Sequence, residues 1–400
     1  MLPSLAAHLP PATRFLLEQL CPAEPREPVA PAEAGAQCLT ASDIATEARR
    51  QLVGGPLLQW AERNPEHPWA ASLAQELRPE QQAHAVQALN LVKQTLDVVA
   101  ALQQRSIPAI ALKGPFLSRR YYGDYGTRHS GDVDILVDEA AADEADRALR
   151  AAGYTRVKPR ELLRDRRLRL YLDTQHEFGY TAPDGATSIE LHWRHADCRR
   201  LSPVSFAEAW ARAEGTQAGG AEVRTLGPTD TFLQLAIHGY IDGWSRLKWI
   251  ADLPRVRAVL SGDDLAHITA VAERGGIGRI LELALALGGC HPGGRHPGES
   301  RDPVSSPAWL PAALMYVAQR LQSPHPRFLP TADRWRHARA ASRYTAAMLN
   351  DAPLRRAAAY CNLIMPADFD NLPLPDPLTP ALPYLARIHR GLRVIGATPR

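Results

Sequence analysis

Apolar residues recur along this chain with two different periods, and each change of period marks a change of element. Over residues 78–105, Leu89, Val92, Leu96, Val99 and Leu102 return every three or four positions, the single stripe of an amphipathic helix. Arg105-Ser106 and Pro108 end it. The period then shortens. Residues 108–112 form a brief apolar run read as a strand, Pro115 opens a short helix through Tyr121-Tyr122, and residues 123–131 form a loop. Residues 132–137 read as a second strand, and 138–152 as a helix stopped by Gly153. Two more strands, 176–181 and 187–193, flank Pro183-Asp184-Gly185, residues that favour a tight turn. Upstream, Ser42-Asp43 can cap a helix reaching about Val53, and Gly54-Gly55-Pro56 stops it and starts another. From Phe206 onward the reading is helical, with segments at 230–240, 244–260, 265–274, 277–287 and 311–321.

This order, β-α-β-α-β-β in the middle third, predicts an α/β (α+β) fold: a small mixed sheet bearing helices. We divide the chain into an N-terminal helical extension (1–105), the sheet core (106–200) and a C-terminal helical domain (201–400). A Gly/Pro-rich insertion at 288–306 interrupts the last of these; its His291 and His296 read as part of a disordered surface segment. The lead-in at 22–37 is irregular, and the proline-rich stretch at 372–383 reads as extended packing or a linker.

Composition narrows the picture little. A formal charge of +3 over 400 residues gives no electrostatic reason to expect nucleic acid. Cys21, Cys38, Cys198, Cys290 and Cys361 lack zinc-like or redox spacing and read as scattered thiols. Neither a signal peptide nor an apolar run of membrane-spanning length is found, so a cytoplasmic protein is expected. The basic run at 156–169 reads as a solvated helix face or a lid.

The chemistry lies in Gly131-Asp-Val-Asp-Ile-Leu-Val137. Asp132 and Asp134 share one face of a strand, their Cα atoms roughly 6.5–7 Å apart. Two carboxylates so placed are costly to bury without a cation between them. Lys113-Gly114 closes the preceding strand, where glycine lets backbone N–H groups approach phosphate and Lys113 adds a point charge. Arg128 offers a planar donor fork from the intervening loop. Glu190, in Ser188-Ile-Glu-Leu-His-Trp193, supplies a third carboxylate and shares a strand face with His192, while Trp193 points to the core. Glu177 is a rival third carboxylate. His192 reaches either the metal site or a buried neighbour. Further on, His238, Asp242, Arg246 and Trp249 form a polar-aromatic stretch suited either to stacking a base or to packing helices.

Leu112-Lys-Gly, Tyr121-Tyr122, Arg128, Gly131-Asp-Val-Asp-Ile-Leu-Val, Ala152-Gly-Tyr, Ile189-Glu-Leu-His-Trp-Arg, His238-Gly and Trp244-Ser-Arg-Leu-Lys-Trp occur in this order. Together they resemble the uncharacterised bacterial nucleotidyltransferase family of the polymerase-β-like superfamily, over residues 86–287. The resemblance implies Mg²⁺ (or Mn²⁺), an NTP donor, ATP being the expected one, and transfer of a nucleoside monophosphate. It implies Asp132, Asp134 and Glu190 as metal-binding and catalytic residues, and Lys113, Gly114, Arg128, His192 and Arg246 as nucleotide-binding residues. Lys113-Gly114-Pro115 stands where the superfamily more usually has Gly-Ser or Gly-Gly. The acceptor implied is a hydroxyl or phosphate of a small molecule, peptide or protein, in lasso-peptide-type natural-product or exopolysaccharide synthesis. The rival reading is an antitoxin-like or scaffold binding protein that keeps the fold.

Overall fold

Strands β1 (Ile110–Ala111), β2 (Asp132–Leu136), β3 (Thr155–Lys158), β4 (Glu177–Thr181), β5 (Ser188–His192), β6 (Glu214–Ala218) and β7 (Ala221–Thr225) build one mixed sheet, ordered β3-β4-β5-β2-β1-β7-β6. The computed structural model describes residues 2–21, 39–289, 307–323, 331–349, 351–372 and 374–396. The expected lead-in at 22–37, and all but the first two residues of the insertion at 288–306, lie outside the described residues.

At the centre of the sheet, β2 runs parallel to β5, while β1 pairs antiparallel to β2 and β4 antiparallel to β5. Alternation along these strands separates two faces. Val133 and Ile135 of β2, Ile189 and Leu191 of β5, and Phe178 and Tyr180 of β4 turn to one side and are buried there. Burying a Val, Ile, Leu or Phe side chain stabilises the fold by about 1.5–3 kcal/mol, so this apolar side specifies the register. The opposite side receives Asp132, Asp134, Glu177, Glu190 and His192 as a geometric consequence. Trp193, just past β5, is buried against Phe178 and Tyr171 as expected.

Two strand pairings correct the sequence reading. Residues 214–225, read as part of a helical region, form the β6–β7 hairpin, turning at Gly219 (φ 56°) and Gly220 (φ 82°). Two glycines with positive φ are the signature of a tight hairpin turn. Thr155–Lys158, which takes in the start of the supposed solvated basic run, is a strand paired with β4. Its Arg156 is buried, 3.2 Å from Asp146 and over the Phe178 ring, and Arg167 donates to Phe369 O at 2.6 Å. These arginines fasten the fold.

Helix boundaries also shift. Helix Ala70–Gln103 is longer than its apolar stripe and contains Pro79. Leu89 is 60% exposed, whereas Leu91, Val92, Val98, Val99 and Leu102 are buried. Helix Ala41–Arg50 is capped by Thr40, whose hydroxyl accepts from Asp43 N while Asp43 accepts from Thr40 N, a reciprocal capping box. Within the stretch expected to be extended, residues 376–383 are helical: a 3-10 turn, Asp376–Ala381, leads into helix Leu382–Gly396.

The chain falls into two compact units, each assembled from separate segments. One comprises Met1–Val92, Lys113–Ser130 and Gly227–Asn350; its described part is helical. The other comprises Lys93–Leu112, Gly131–Leu226 and Asp351–Arg400, and holds the whole sheet. We keep the division at 105 and 200 as a proposal about sequence segments. Among the described residues, no helix is long and apolar enough to cross a membrane.

Candidate active site

Side-by-side register on parallel strands brings Asp134 and Glu190 together. Asp132 stands opposite Ser188, Asp134 opposite Glu190 and Leu136 opposite His192. His192 Nε2 lies 3.0 Å from Asp134 Oδ1 and 3.5 Å from Glu190 Oε2. One donor atom from each of Asp134, Glu190 and His192 lies within 4.8 Å of the others. Asp132 is two residues earlier on the same face of β2 and only half-buried.

Electrostatics in this cluster are unbalanced. Burial opposes charge on His192, but hydrogen bonds to Asp134 and Glu190, with Glu177 nearby, raise its pKa to about 10. Burial pushes the Glu190 carboxyl up, and repulsion from Glu177 and Asp134 adds to that despite His192. Glu177 is also buried, yet His176, His192 and Lys158 together hold it well below the ordinary glutamate value. Asp134 and Glu190 offer hard oxygen donors from adjacent strands, and their crowding favours a divalent cation that compensates both. The donor set therefore fits Mg²⁺ or Mn²⁺, with His192 orienting Asp134 from the side.

Next to this cluster, Glu177 of β4 pairs in register with His192, and Gly179 with Glu190. Lys158 Nζ sits 2.5 Å from Glu177 Oε1. A Cβ on Gly179 would come within 2.9 Å of Lys158 Cβ, so glycine there leaves room for the lysine. Glu177 thus shares the face with Glu190 but is engaged by Lys158 and two imidazoles. Sequence reasoning passed over Lys158 and His176. The one signal for His176 was its position beside a carboxylate at a strand start.

The residues expected to bind nucleotide in the helical unit have the following places. Gly114 opens helix Gly114–Tyr122 with φ +63°, a left-handed conformation suited to glycine, and Lys113 occupies the N-cap position. Arg128 is 3% exposed, its Nε 2.9 Å from both Asp252 oxygens and its Nη2 2.9 Å from Oδ2. Tyr122 donates to the same carboxylate at 2.6 Å, and Ser118 Oγ accepts the Arg128 amide. The guanidinium is committed to Asp252, a residue the sequence reading missed. Its signal was a lone carboxylate among Ile250, Ala251 and Leu253. Arg246 is half-buried at the N-cap of helix Leu247–Arg257 and donates to Ser245 O at 2.8 Å. His238 meets the Trp249 ring edge-on at 4.3 Å and lies 3.7 Å from Asp242, a packing arrangement.

Asp134 and Glu190 thus stand side by side on adjacent parallel strands, with His192 against Asp134. The family model for an uncharacterised nucleotidyltransferase matches residues 38–290, more than half of the chain. The chain belongs to that family and is a transferase of the nucleotidyltransferase type. No curated protein and no solved structure matches it.

Proposed function

We propose that this protein moves a nucleoside monophosphate from an NTP, ATP being the expected donor, to a hydroxyl or phosphate acceptor. One observation carries the reading: Asp134 and Glu190 are register partners on parallel β2 and β5, with His192 hydrogen-bonded to Asp134. Asp132, Asp134 and Glu190 would hold the divalent cation, Mg²⁺ or Mn²⁺. Bound there, the cation would neutralise triphosphate charge and the departing pyrophosphate. His192 holds a proton at Nε2 against Asp134 and so fixes the direction of that carboxylate. Glu190 faces the acceptor and takes or orients its proton. Lys113 and the N-terminal amides beginning at Gly114 bind phosphate, using the positive end of the helix. Arg128, tied to Asp252, positions the loop that precedes Asp132, and Arg246 contributes a further cationic contact to the donor.

The acceptor belongs to a small molecule, peptide or protein, with a lasso-peptide-type natural product or an exopolysaccharide intermediate as the first candidates. We infer a cytoplasmic reaction that involves neither nucleic acid nor a membrane. Incubation with each NTP and Mg²⁺, with candidate acceptors added in turn, should release pyrophosphate and label one acceptor. An absence of release with every NTP and acceptor class, from a protein that binds no nucleotide, overturns this function.

A further inference from the structure

We propose that His176, Glu177 and His192 form a second cation site that takes a borderline transition metal of the Zn²⁺ or Co²⁺ type. It lies on the same sheet face as Asp132, Asp134 and Glu190 but uses different donors, and it does not depend on the nucleotidyl-transfer reading.

Three observations carry it. Glu177 Oε2 is 3.2 Å from His176 Nε2 and 3.5 Å from His192 Nδ1, and one ligand atom from each of the three residues lies within 4.8 Å of the others. A tetrahedral zinc ion with bonds of about 2.0–2.1 Å separates its ligand atoms by roughly 3.3 Å. The observed spacing needs little adjustment to close around an ion.

Second, each imidazole carries a carboxylate on its far nitrogen. His176 Nδ1 lies 2.6 Å from Asp197 Oδ1, and His192 Nε2 lies 3.0 Å from Asp134 Oδ1. A far-side carboxylate orients each ring and raises ligand basicity, and the metal takes the near nitrogen by displacing its proton. Lys158 similarly occupies Glu177 Oε1 at 2.5 Å and leaves Oε2 as the single facing oxygen.

Third, His192 Nδ1 is buried and makes no hydrogen bond, while the residue as a whole is only 4% exposed. A buried polar atom left without a partner costs about 1–3 kcal/mol. A metal at this point supplies the missing partner. The two rings, 5.4 Å apart and tilted by 34°, place both near nitrogens on the Glu177 side. Nitrogen donors favour zinc and cobalt over magnesium, which separates this site from the all-oxygen one. Three protein ligands leave a fourth position open.

Co²⁺ tests the site because four-coordinate cobalt absorbs strongly in the visible. The untagged full-length chain, stripped with chelator, should bind a single Co²⁺ with those bands, and Zn²⁺ should displace it. His176→Ala should weaken binding about a hundredfold or more, whereas Asp132→Asn should change it by less than about threefold. Asp197→Asn, which keeps all three ligands, should weaken it by about 10–100-fold. Absence of the visible bands in the wild-type chain, or equal Co²⁺ affinity in His176→Ala, overturns the site. If circular dichroism shows His176→Ala unfolded, Asp197→Asn decides: unchanged affinity there overturns the site as well.

Discussion

Two buried charge clusters in this molecule are built on opposite plans. In the helical unit, Arg128 meets Asp252 through three contacts of 2.9 Å, and Tyr122 donates to the same carboxylate. One cation faces one anion, with Nε shared between both carboxylate oxygens. In the sheet unit, Asp134, Glu190 and Glu177 crowd around His192, with His176 and Lys158 at one side. Anions outnumber the strong cations, and His192 is raised to about 10 as a result. The first arrangement closes on itself and holds a loop. The second gathers three carboxylates whose repulsion the charge on His192 offsets only in part, since Glu177 and Asp134 still push the Glu190 carboxyl up, and a further cation would relieve the rest. Charge imbalance, more than burial, separates a binding site from a structural lock.

The largest expected effect attacks the unbalanced cluster. Asp134→Asn keeps the shape and removes one negative charge, so turnover should fall by about ten-thousandfold or more, roughly 5–6 kcal/mol of barrier. Its melting temperature should fall modestly, because buried His192 loses its nearest anion, and this outweighs the relief of repulsion with Glu190. A pyrophosphate-release assay and a thermal melt on the same preparation check both halves; full activity in this variant ends the catalytic role.

The balanced cluster should respond in the opposite sense. Arg128→Met leaves Asp252 buried without its cation and should cost about 3–5 kcal/mol of stability in denaturant unfolding. Arg128→Met with Asp252→Leu should recover much of that loss, because a like-sized apolar pair needs no desolvation of charge. Equal losses in the single and double variants contradict the account of this pair as a structural lock.

A smaller change is expected at the helix start. Lys113→Ala should weaken Mg-NTP binding by about tenfold by calorimetry, about 1.4 kcal/mol, with little change in melting temperature. Unaltered affinity removes Lys113 from the donor site.

Smallest is the response to pH. His192 titrates higher in the folded chain, about 10, than the ordinary 6.5. Its contribution to stability is therefore complete below about pH 6.5 and fades as pH rises towards 10. Melting in chelator should show a decline over that window that is shallower in His192→Gln. The same slope in both proteins contradicts the assignment.

Much of the site was legible because strand alternation is a strict rule. Once residues 132–137 and 187–193 read as strands, the common face of Asp132 and Asp134, and that of Glu190 and His192, followed. What joins the two pairs is parallel pairing between segments more than 50 residues apart, and no local pattern carries that. Asp252 and Lys158 were hidden for a related reason: each acquires its role from a partner distant in sequence. The β6–β7 hairpin was missed because Glu214-Gly-Thr-Gln-Ala is too polar to show an apolar period, although Gly219-Gly220 marked the turn.

Register has a further meaning for inheritance. Asp134 meets Glu190 only while β2 and β5 keep step, and a slip of one residue would send every acidic side chain into the apolar layer. A single codon inserted within 132–136 or 188–192 should therefore abolish function more completely than most substitutions there. At the turn around Asp184, which caps Ala186 and Thr187 with its side chain, length changes leave that frame intact. Natural variants of this chain should accordingly differ in length at 183–186 and keep length across the two strands, even where side chains change.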